Sequence, residues 1–271
     1  MLSLKAVIVL YNKKIADSAS ITSILKQHSW MENIKLSVSI YDNSENAMIS
    51  ESELLYLKTV LDINYIHDGS NRGLNVIYES EFRNLNTDYI LLLDDDTFLP
   101  SNYLSIFFDS HNINASNSIY VPKIYSFEQL ISPYRTFLFL SKSIDNNISG
   151  VHRNIHAINS GVFLPNINEI KCYQYPQYVK FYGTDSVLFD YINQLKIPIV
   201  VLDCKVNHDL SFHPLGDFDK YQKALRNVIC FWREHYSSNT IHLAFLFCYL
   251  LYLSLKLSCK KRKLINLFKF K

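Results

Sequence analysis

The chain has 271 residues, of which 48% are hydrophobic and 19% are charged, and its formal net charge is +2. An apolar fraction of this size is enough to form a buried core, which excludes a globally disordered chain. A net charge close to zero argues against a dedicated nucleic-acid binder, since such a protein needs a basic surface. The length suits one large α/β domain, or such a domain with an appendage.

The cysteines and the N-terminus indicate where the protein works. The number of cysteines is odd and no two of them form a C-x-x-C pair, which favours free thiols in a reducing compartment. The chain opens almost directly into an apolar run with only about seven suitable residues and no small-residue cleavage site, which predicts no signal peptide. We therefore expect a cytoplasmic protein. The cysteines are Cys172, Cys204, Cys230, Cys248 and Cys259.

The first hundred residues alternate between strand and helix patterns. Residues 6–10 are uniformly apolar, as in a strand buried on both faces. The next segment has apolar residues at helical spacing behind Asp17 or Ser18, and either residue is a favourable N-cap. Strands that alternate with helices of about ten residues indicate βαβ units, and hence a mainly parallel sheet. Further strands are predicted at 35–41, 63–67 and 89–93, and further helices at 52–61 and about 75–85.

The pattern becomes less regular after about residue 117. Residues 131–148 alternate between polar and aromatic residues without a clear period, which predicts a loop or a lid. No internal repeat and no low-complexity linker divides the chain. We therefore predict one α/β domain over residues 1–236, with halves of about 1–117 and 118–236, followed by a tail over 237–271. Strands are predicted at 119–124, 155–164 and 197–206, and helices at 185–195 and 217–236.

The tail combines an apolar segment with a basic end. Residues 241–257 are almost uniformly apolar, and lysine and arginine occupy 260–263. Seventeen residues are at the lower limit for a membrane span. The basic flank favours a helix that lies on an anionic membrane surface. The alternatives are a C-terminal helix packed on the domain and a true span.

Polar residues follow each of the first four predicted strands. In open parallel sheets, ligands bind beyond the carboxyl ends of the strands. Four successive strands are therefore expected to bring polar side chains to one edge of the sheet. The polar runs are Tyr11-Asn12, Asp42-Asn43-Ser44, Asn71-Arg72-Gly73 and Asp94-Asp95-Asp96.

The acidic run after the fourth strand suggests a metal ion. Three adjacent carboxylates repel one another unless a cation is present. Carboxylate oxygens suit Mg²⁺ or Mn²⁺, and these ions use one or two protein carboxylates together with phosphate oxygens of a substrate. The alternative is a solvated acidic turn that precedes a helix start at Pro100 and Ser101.

These runs resemble the four signatures of family 2 glycosyltransferases, in the same order and at similar separations. The strongest similarity is to bacterial rhamnosyltransferase-like members that build surface polysaccharides, and it covers roughly residues 5–210. The resemblance implies a GT-A fold, a Rossmann-like nucleotide-diphospho-sugar transferase domain with a mainly parallel sheet. Residues 1–117 then form its nucleotide half and 118–236 its acceptor half. The runs that carry the resemblance are residues 7–12, 41–44, 71–73 and 92–97.

The resemblance also implies contacts with the nucleotide. Tyr11 is expected near the nucleotide, and Asp42 is expected to accept a hydrogen bond from a pyrimidine ring. Asn71 and Gly73 are expected to line the wall beside the base and ribose. Arg72 reaches a phosphate or lies on the surface. Relatives often carry Ala and Asn along the following helix, whereas this chain has Tyr78, Glu79 and Ser80, so details of nucleotide contact can differ.

A metal site is implied by the same resemblance. Asp94 and Asp96 correspond to the outer members of the D-x-D element, with Asp96 favoured as the direct ligand of Mn²⁺ or Mg²⁺. Asp95 is the variable middle residue and faces the ribose or solvent. His208 matches a histidine that completes the metal or diphosphate site in relatives. A surface role for His208 is the alternative, and His213 competes with it.

The second half supplies a catalytic base. Residues 159–163 resemble the strand that lines the acceptor side, and residues 181–185 resemble the segment that carries the base at a helix N-terminus. Many relatives have Glu-Asp there, whereas this chain has Thr184-Asp185. Asp185 is therefore the predicted base, and the helix N-terminus favours its carboxylate form. Its alternative is an ordinary N-terminal helix residue.

Together these residues predict an inverting, metal-dependent glycosyltransferase at the inner face of the cell membrane. The donor implied is a dTDP- or UDP-sugar, and the acceptor a glycan or a lipid-linked oligosaccharide. Two other readings stay open. One is a non-catalytic, membrane-associated nucleotide-sugar-binding scaffold. The other is a phosphotransferase of the haloacid dehalogenase type, although Phe98 occupies the position where that family needs threonine.

Overall fold

The computed structural model describes residues 1–27, 32–126, 128–207 and 218–269. Within these ranges the centre of the molecule is a nine-stranded sheet in the order β3-β2-β1-β4-β10-β5-β11-β9, with β6 beside β5. A hairpin of β7 and β8 forms a separate two-stranded sheet. The strands are β1 (Leu2–Leu10), β2 (Ile34–Asp42), β3 (Asp62–His67), β4 (Tyr89–Asp94), β5 (Ile119–Ser126), β6 (Gln129–Ser132), β7 (Tyr134–Phe137), β8 (Leu140–Ser143), β9 (Gly150–His152), β10 (Val162–Pro165) and β11 (Ile199–Asn207).

The first four strands run in one direction. Strand β1 pairs in parallel with β2 and with β4, and β2 pairs in parallel with β3. Their carboxyl ends, at Leu10, Asp42, His67 and Asp94, therefore lie at the same edge of the sheet. This confirms the predicted convergence of the four polar runs. We call this edge the carboxyl edge.

Helices cover both faces of the sheet and give three layers. The side chains of α1, α2 and α4 pack in one core cluster with the sheet. Those of α3, α5 and α6 pack in the other cluster. This arrangement is the α/β class with a mainly parallel central sheet that the sequence predicts. The helices are α1 (Ala19–Leu25), α2 (Glu51–Val60), α3 (Leu74–Arg83), α4 (Tyr103–Ile113), α5 (Asn168–Lys171), α6 (Thr184–Gln194), α7 (Phe218–His235) and α8 (Thr240–Lys261).

Local sequence signals explain where several helices begin. The hydroxyl of Ser18 accepts a hydrogen bond from the Ile21 N–H and caps α1, as predicted. Ser50 and Glu53 form a reciprocal capping box at the start of α2. Helix α6 begins after Gly183, whose φ of +82° favours glycine.

Two predictions for the second half were wrong. The predicted strand over 155–164 is a strand only at Val162–Pro165, because the main chain of His156 bonds to Tyr134 instead and Gly161 adopts φ +84°. The predicted loop or lid over 131–148 contains part of β6 and the whole β7–β8 hairpin. Strands β7 and β8 are largely exposed, so they lack the alternation of buried and exposed residues by which a strand is recognised.

The last two helices share a third core cluster. Leu225 and Ile229 of α7 pack with Leu246 and Leu250 of α8. Phe231 of α7 also packs in the core cluster of α3 and α6. It therefore connects the sheet to α8, and the division at residue 236 stays a prediction. All five cysteines are free thiols, as predicted.

Candidate active site

The loops at the carboxyl edge are bonded to one another. Tyr11 follows β1 and is 55% exposed. The N–H of Asn12 donates to the Ser44 hydroxyl over 2.8 Å, which joins the loops after β1 and β2. The Asn43 amide donates to the Arg72 carbonyl over 2.8 Å, which joins the loops after β2 and β3. Three of the four polar runs are thus held as one surface, with Tyr11 free of the core.

Asp42 is buried beneath this surface. Its carboxylate accepts hydrogen bonds from the Tyr65 hydroxyl at 2.5 Å, the Met48 N–H at 2.8 Å and the Ser44 N–H at 3.1 Å. Burial alone would raise the pKa of Asp42, but these hydrogen bonds lower it below its usual value. Asp42 therefore organises the loop that follows β2. Its contact with a pyrimidine ring stays a prediction.

The loop after β3 lies beside the start of α3. Asn71 is exposed and Gly73 is the N-cap residue of α3. A Cβ at Gly73 would lie 2.4 Å from Asn75 Oδ1 and 3.4 Å from the Lys180 carbonyl oxygen. Arg72 forms an ion pair with Asp68, which accounts for its charge at the surface. The roles of Asn71 and Gly73 beside a base and ribose stay predictions.

Asp94 is the last residue of β4, and a residue of the acceptor half binds its carboxylate. The Ser160 hydroxyl donates to Asp94 Oδ2 over 2.7 Å and lies 2.5 Å from the Thr97 hydroxyl oxygen. Asn159, the residue before Ser160, donates from its amide to the Thr184 hydroxyl over 3.3 Å. Asn159 and Ser160 are both buried. This dipeptide therefore connects the acidic run to the residue that precedes Asp185.

Asp95 has a cationic neighbour that the sequence analysis did not single out. Lys13 Nζ lies 2.7 Å from Asp95 Oδ1. Ser18 donates to the Asp95 carbonyl over 2.8 Å, and Ser20 donates to the Asp94 carbonyl and, over 3.0 Å, to the Thr97 carbonyl. The turn over residues 94–97 is thus fixed by hydrogen bonds from the start of α1. Lys13 directly follows the polar run after β1, and this position is the signal that marks it as a phosphate-binding candidate.

The acidic run suits a metal that also binds a substrate phosphate. Among the described residues, no group of three or more His, Cys, Asp or Glu side chains is arranged to hold a metal by protein alone. Asp94 and Asp96 offer carboxylate oxygens, and Mg²⁺ and Mn²⁺ need only one or two of these when phosphate and water complete the shell. The donor set therefore fits such an ion. His208 lies outside the described residues, so its role as a ligand stays a prediction.

Asp185 lies in the first turn of α6 and has a shifted pKa. Burial raises the pKa of Asp185 to about 6, the Ser186 N–H opposes this, and the Asp94 carboxylate adds to it. Burial is the main cause of a raised pKa at Tyr78, and the carboxylates of Asp94 and Asp185 raise it further. Asp94 and Asp185 therefore lie close enough to interact. A carboxylate with a pKa near neutrality is suited to act as a general base.

We expect this shift to appear in the stability of the metal-free protein. A raised pKa means that the folded chain holds the proton of Asp185 more tightly than the unfolded chain does. The ionised carboxylate therefore costs stability as pH rises from about 4 to about 6, and the full cost remains above that range. Asp185→Asn should raise the free energy of unfolding by up to about 3 kcal/mol near pH 8, and hardly change it near pH 4. Urea denaturation with EDTA measures both values, and an equal effect at both pH values would contradict the shift.

Gly183 fits closely against α7. A Cβ at Gly183 would lie 2.3 Å from the Phe231 ring, whereas a Cβ at Gly150 would meet nothing within 4 Å. Both glycines have positive φ, at +82° and +77°. Gly150→Ala is therefore the matched control, because it carries the backbone strain without the clash. The close contact fixes the segment that leads into Asp185 against α7.

We expect Gly183→Ala to destabilise the protein more than Gly150→Ala does. The strain at positive φ costs about 1–2 kcal/mol at either position. The clash with Phe231 should add about 1–3 kcal/mol at Gly183 alone. Thermal or urea unfolding of the two variants measures the difference, and equal destabilisation would mean that Phe231 does not pack as described.

Solved structures provide a comparison for the whole arrangement. GalNAc-T7 in complex with UDP, GalNAc and Mn²⁺ superposes with a TM-score of 0.59 at 14% identity, over 88% of this chain and 50% of that one. Residues 1–349 of S. aureus TarS superpose with a TM-score of 0.53 at 11% identity, over 84% of this chain and 64% of that one. This chain thus covers half of the GalNAc-T7 chain and less than two thirds of the TarS fragment.

Sequence comparisons add nothing to this likeness. No family model matches the chain, and no curated protein sequence matches it. Identities of 11–14% support a common fold rather than a common activity. Both structural neighbours are GT-A glycosyltransferases, and the large, mostly parallel sheet agrees with theirs. The chain therefore has the GT-A glycosyltransferase fold.

Proposed function

We propose that this chain is an inverting glycosyltransferase that moves a sugar from a nucleotide-diphosphate donor to a saccharide acceptor. The observation that carries the proposal is that the segments of Asp94 and Asp185, which come from opposite halves of the domain, are joined through two adjacent buried residues. The buried Asn159-Ser160 dipeptide bonds to both segments. The reaction needs a group that helps to bind the leaving diphosphate and a general base. In this proposal Asp94 serves the first need, through a metal ion, and Asp185 serves the second.

The donor is bound at the carboxyl edge in this proposal. Tyr11 lies beside the nucleotide, and Lys13 and the acidic run lie beside the diphosphate. Asp94 and Asp96 would hold Mn²⁺ or Mg²⁺, which would supply positive charge to stabilise the leaving diphosphate. Asp95 keeps Lys13 in place through their ion pair. The donor is a UDP- or dTDP-sugar. GalNAc-T7, crystallised with UDP and Mn²⁺, supports a pyrimidine nucleotide and a divalent ion.

Asp185 is the catalytic base of this mechanism. Its carboxylate takes the proton from an acceptor hydroxyl, and the oxygen attacks the anomeric carbon on the side opposite to the diphosphate. The C–O bond to the diphosphate breaks as the new glycosidic bond forms, so the configuration inverts in one displacement. Burial of Asp185 within the protein keeps its pKa high enough for proton transfer.

A donor screen tests this proposal. Purified protein is incubated with a panel of UDP- and dTDP-sugars in Mn²⁺ or in EDTA, and release of nucleoside diphosphate is followed. We expect release with at least one donor, dependent on the metal. If nucleotides bind but no donor is turned over, the chain is a non-catalytic nucleotide-sugar-binding scaffold. If no nucleotide binds, the proposal fails.

The acceptor and location belong to the same proposal. The acceptor is a glycan or a lipid-linked oligosaccharide of a bacterial surface polysaccharide, and the protein works at the inner face of the membrane. Helix α8 supports this location, because its length and composition would allow it to cross a membrane, although core helices of soluble proteins pass the same test. One face of α8 packs on α7, and the opposite face exposes large apolar side chains. These are Phe245, Leu251, Tyr252 and Leu255, each between 47% and 60% exposed.

We expect this exposed face to bind anionic membranes. Lys260 and Lys261 end α8 and favour an anionic lipid surface. Replacing Leu251 and Leu255 together by Glu should weaken binding more than tenfold, because each buried apolar side chain contributes about 1.5–3 kcal/mol. Leu55→Glu with Tyr56→Glu is the control, since these exposed residues lie on α2. Co-sedimentation with vesicles of anionic or neutral lipid measures it, and equal sedimentation of both double variants would contradict the membrane contact.

A further inference from the structure

A cleft of about 360 Å³ lies between α7 and the segment that leads into Asp185. Three aromatic side chains of that segment line it, and each is about 40% exposed: Tyr178 (38%), Phe181 (40%) and Tyr182 (41%). The cleft is at the small end of the range for ligand pockets. Three partly exposed aromatic rings within five residues present a large apolar surface that the protein core does not use.

The wall opposite these rings is fixed by α7. Phe231 lines the cleft and is buried. The Tyr178 hydroxyl is 2.8 Å from His235 Nδ1, and the rings of Phe231 and His235 stack with centroids 5.2 Å apart. His235 Nε2 in turn lies 3.5 Å from the Asp190 carboxylate of α6. The cleft is therefore preformed rather than a gap between mobile side chains.

The cleft reaches the neighbourhood of the base. Phe231 lies against Gly183, where a Cβ would be only 2.3 Å from its ring. Gly183 precedes Asp185 by two residues, so their Cα atoms are at most about 7.6 Å apart. On its other side the same segment touches the carboxyl edge, since the Lys180 carbonyl accepts a hydrogen bond from the Asn75 N–H at 3.3 Å. Two residues that line the cleft thus adjoin these regions, Phe231 at the segment of the base and Lys180 at the donor edge.

The polar groups of the cleft suit a neutral, hydroxylated ligand. Lys180, Asn227 and Glu234 line it together with the aromatic rings. One positive and one negative side chain give no net charge, which favours neither an anion nor a cation. Amide, ammonium and carboxylate groups donate to and accept from hydroxyls, and aromatic faces attract the C–H groups of a pyranose ring. A fatty chain would leave these polar groups without partners.

We propose that this cleft is the subsite for the saccharide acceptor, with Phe181 and Tyr182 as stacking platforms for its pyranose ring. This inference rests on the proposed function, because it identifies the acceptor side of the same site. Phe181 and Tyr182 are positioning and specificity residues here, since they bind the acceptor and take no part in proton transfer. The subsite orients one hydroxyl of the acceptor toward Asp185.

Saturation-transfer NMR tests the subsite without knowledge of the natural acceptor. The probes are the methyl glycosides of glucose, galactose, rhamnose and N-acetylglucosamine, with cyclohexanol as an apolar ring that lacks the array of hydroxyls. We expect at least one glycoside to receive saturation at its ring C–H protons. We also expect it to bind more tightly than cyclohexanol does. Saturation of no glycoside, or equal binding of cyclohexanol, would overturn the proposal.

Variants locate the binding. Phe181→Ala and Tyr182→Ala should each weaken the bound glycoside about tenfold, because each removes one stacking ring. Tyr182→Phe keeps the ring and should retain most of the affinity. Tyr56→Ala is the matched control, since Tyr56 is an exposed aromatic residue of α2. An unchanged affinity in both alanine variants would overturn the assignment to this cleft.

The outcome is distinguishable from that of the proposed function. Glycoside binding is measured without a nucleotide, whereas the donor screen needs no acceptor. If the donor is turned over but the glycoside affinity is unchanged in Phe181→Ala and Tyr182→Ala, only the subsite proposal is overturned. Failure of every donor to bind overturns the glycosyltransferase proposal and removes the acceptor role from the cleft.

Discussion

Asp185→Asn is expected to lower the rate of sugar transfer by about 10²–10⁴-fold, which is the usual contribution of a general base. Asparagine has nearly the same shape but cannot take the proton of the acceptor hydroxyl. The Asp94 carboxylate is not a substitute base in this account, because it is committed to the metal and to the Ser160 hydroxyl. Initial rates with the donor and acceptor at saturation measure the effect.

The control for Asp185→Asn is Asp62→Asn. Asp62 is an exposed carboxylate at the opposite end of β3 from the carboxyl edge, so its replacement should leave the rate unchanged. We expect Asp185→Asn to be more stable than the unmodified protein near pH 8, so misfolding would not explain a loss of its activity. Activity at the expense of stability is common in active sites. Full transfer activity in Asp185→Asn would show that the base lies elsewhere.

Asp96→Ala is expected to weaken binding of UDP in Mn²⁺ by about 10²-fold or more. Loss of a direct carboxylate ligand removes several kcal/mol of metal and diphosphate stabilisation, and each 1.4 kcal/mol is a factor of ten. The affinity in EDTA should hardly change, because the missing interaction passes through the metal. Isothermal titration of UDP in the two buffers separates these effects.

Asp95→Ala is the matched control for Asp96→Ala. The two residues are adjacent in the same turn, but Asp95 is paired with Lys13. Its loss should weaken UDP by about tenfold at most, through a less well-placed Lys13, and it should do so with or without Mn²⁺. If Asp95→Ala removed the metal dependence and Asp96→Ala did not, the assignment of the outer aspartates would be wrong.

The nucleotide half of the fold follows closely from the sequence. Its two central strands, β1 and β4, are largely buried on both faces, so each contains a continuous apolar run that ends where the chain leaves the sheet. The run at residues 89–93 followed by Asp94 is the clearest case, since β4 ends at Asp94. Because parallel strands end at one edge, the position of four polar runs follows from this pattern alone.

The acceptor half is less accessible to such reasoning. Strand β10 has only four residues and runs antiparallel to its neighbours, and the β7–β8 hairpin is mostly exposed. Neither has the periodicity by which strands are recognised. The interactions that assemble the site were also hidden, because Lys13 meets Asp95 across 82 positions and Ser160 meets Asp94 across 66. Contacts at such separations are set by the tertiary fold.

The aromatic cleft illustrates the same point. Tyr178, Phe181 and Tyr182 are conspicuous in the sequence, but a core role and a ligand role look the same there. Their exposure of about 40% excludes a core role, and the wall formed by α7 supports the proposed ligand role. The sequence predicts helix α7, but not its contact with Gly183. That contact depends on the φ of +82° at Gly183 and on Phe231, which lies far from Gly183 in the sequence.

The configuration of the released sugar tests the central claim most directly. With a donor that is slowly hydrolysed in the absence of acceptor, water takes the place of the acceptor hydroxyl beside Asp185. NMR then identifies the anomer that forms first, before mutarotation scrambles it. A single displacement predicts the anomer opposite to that of the donor. First appearance of the donor's own anomer would contradict the inverting mechanism and the role of Asp185 in it.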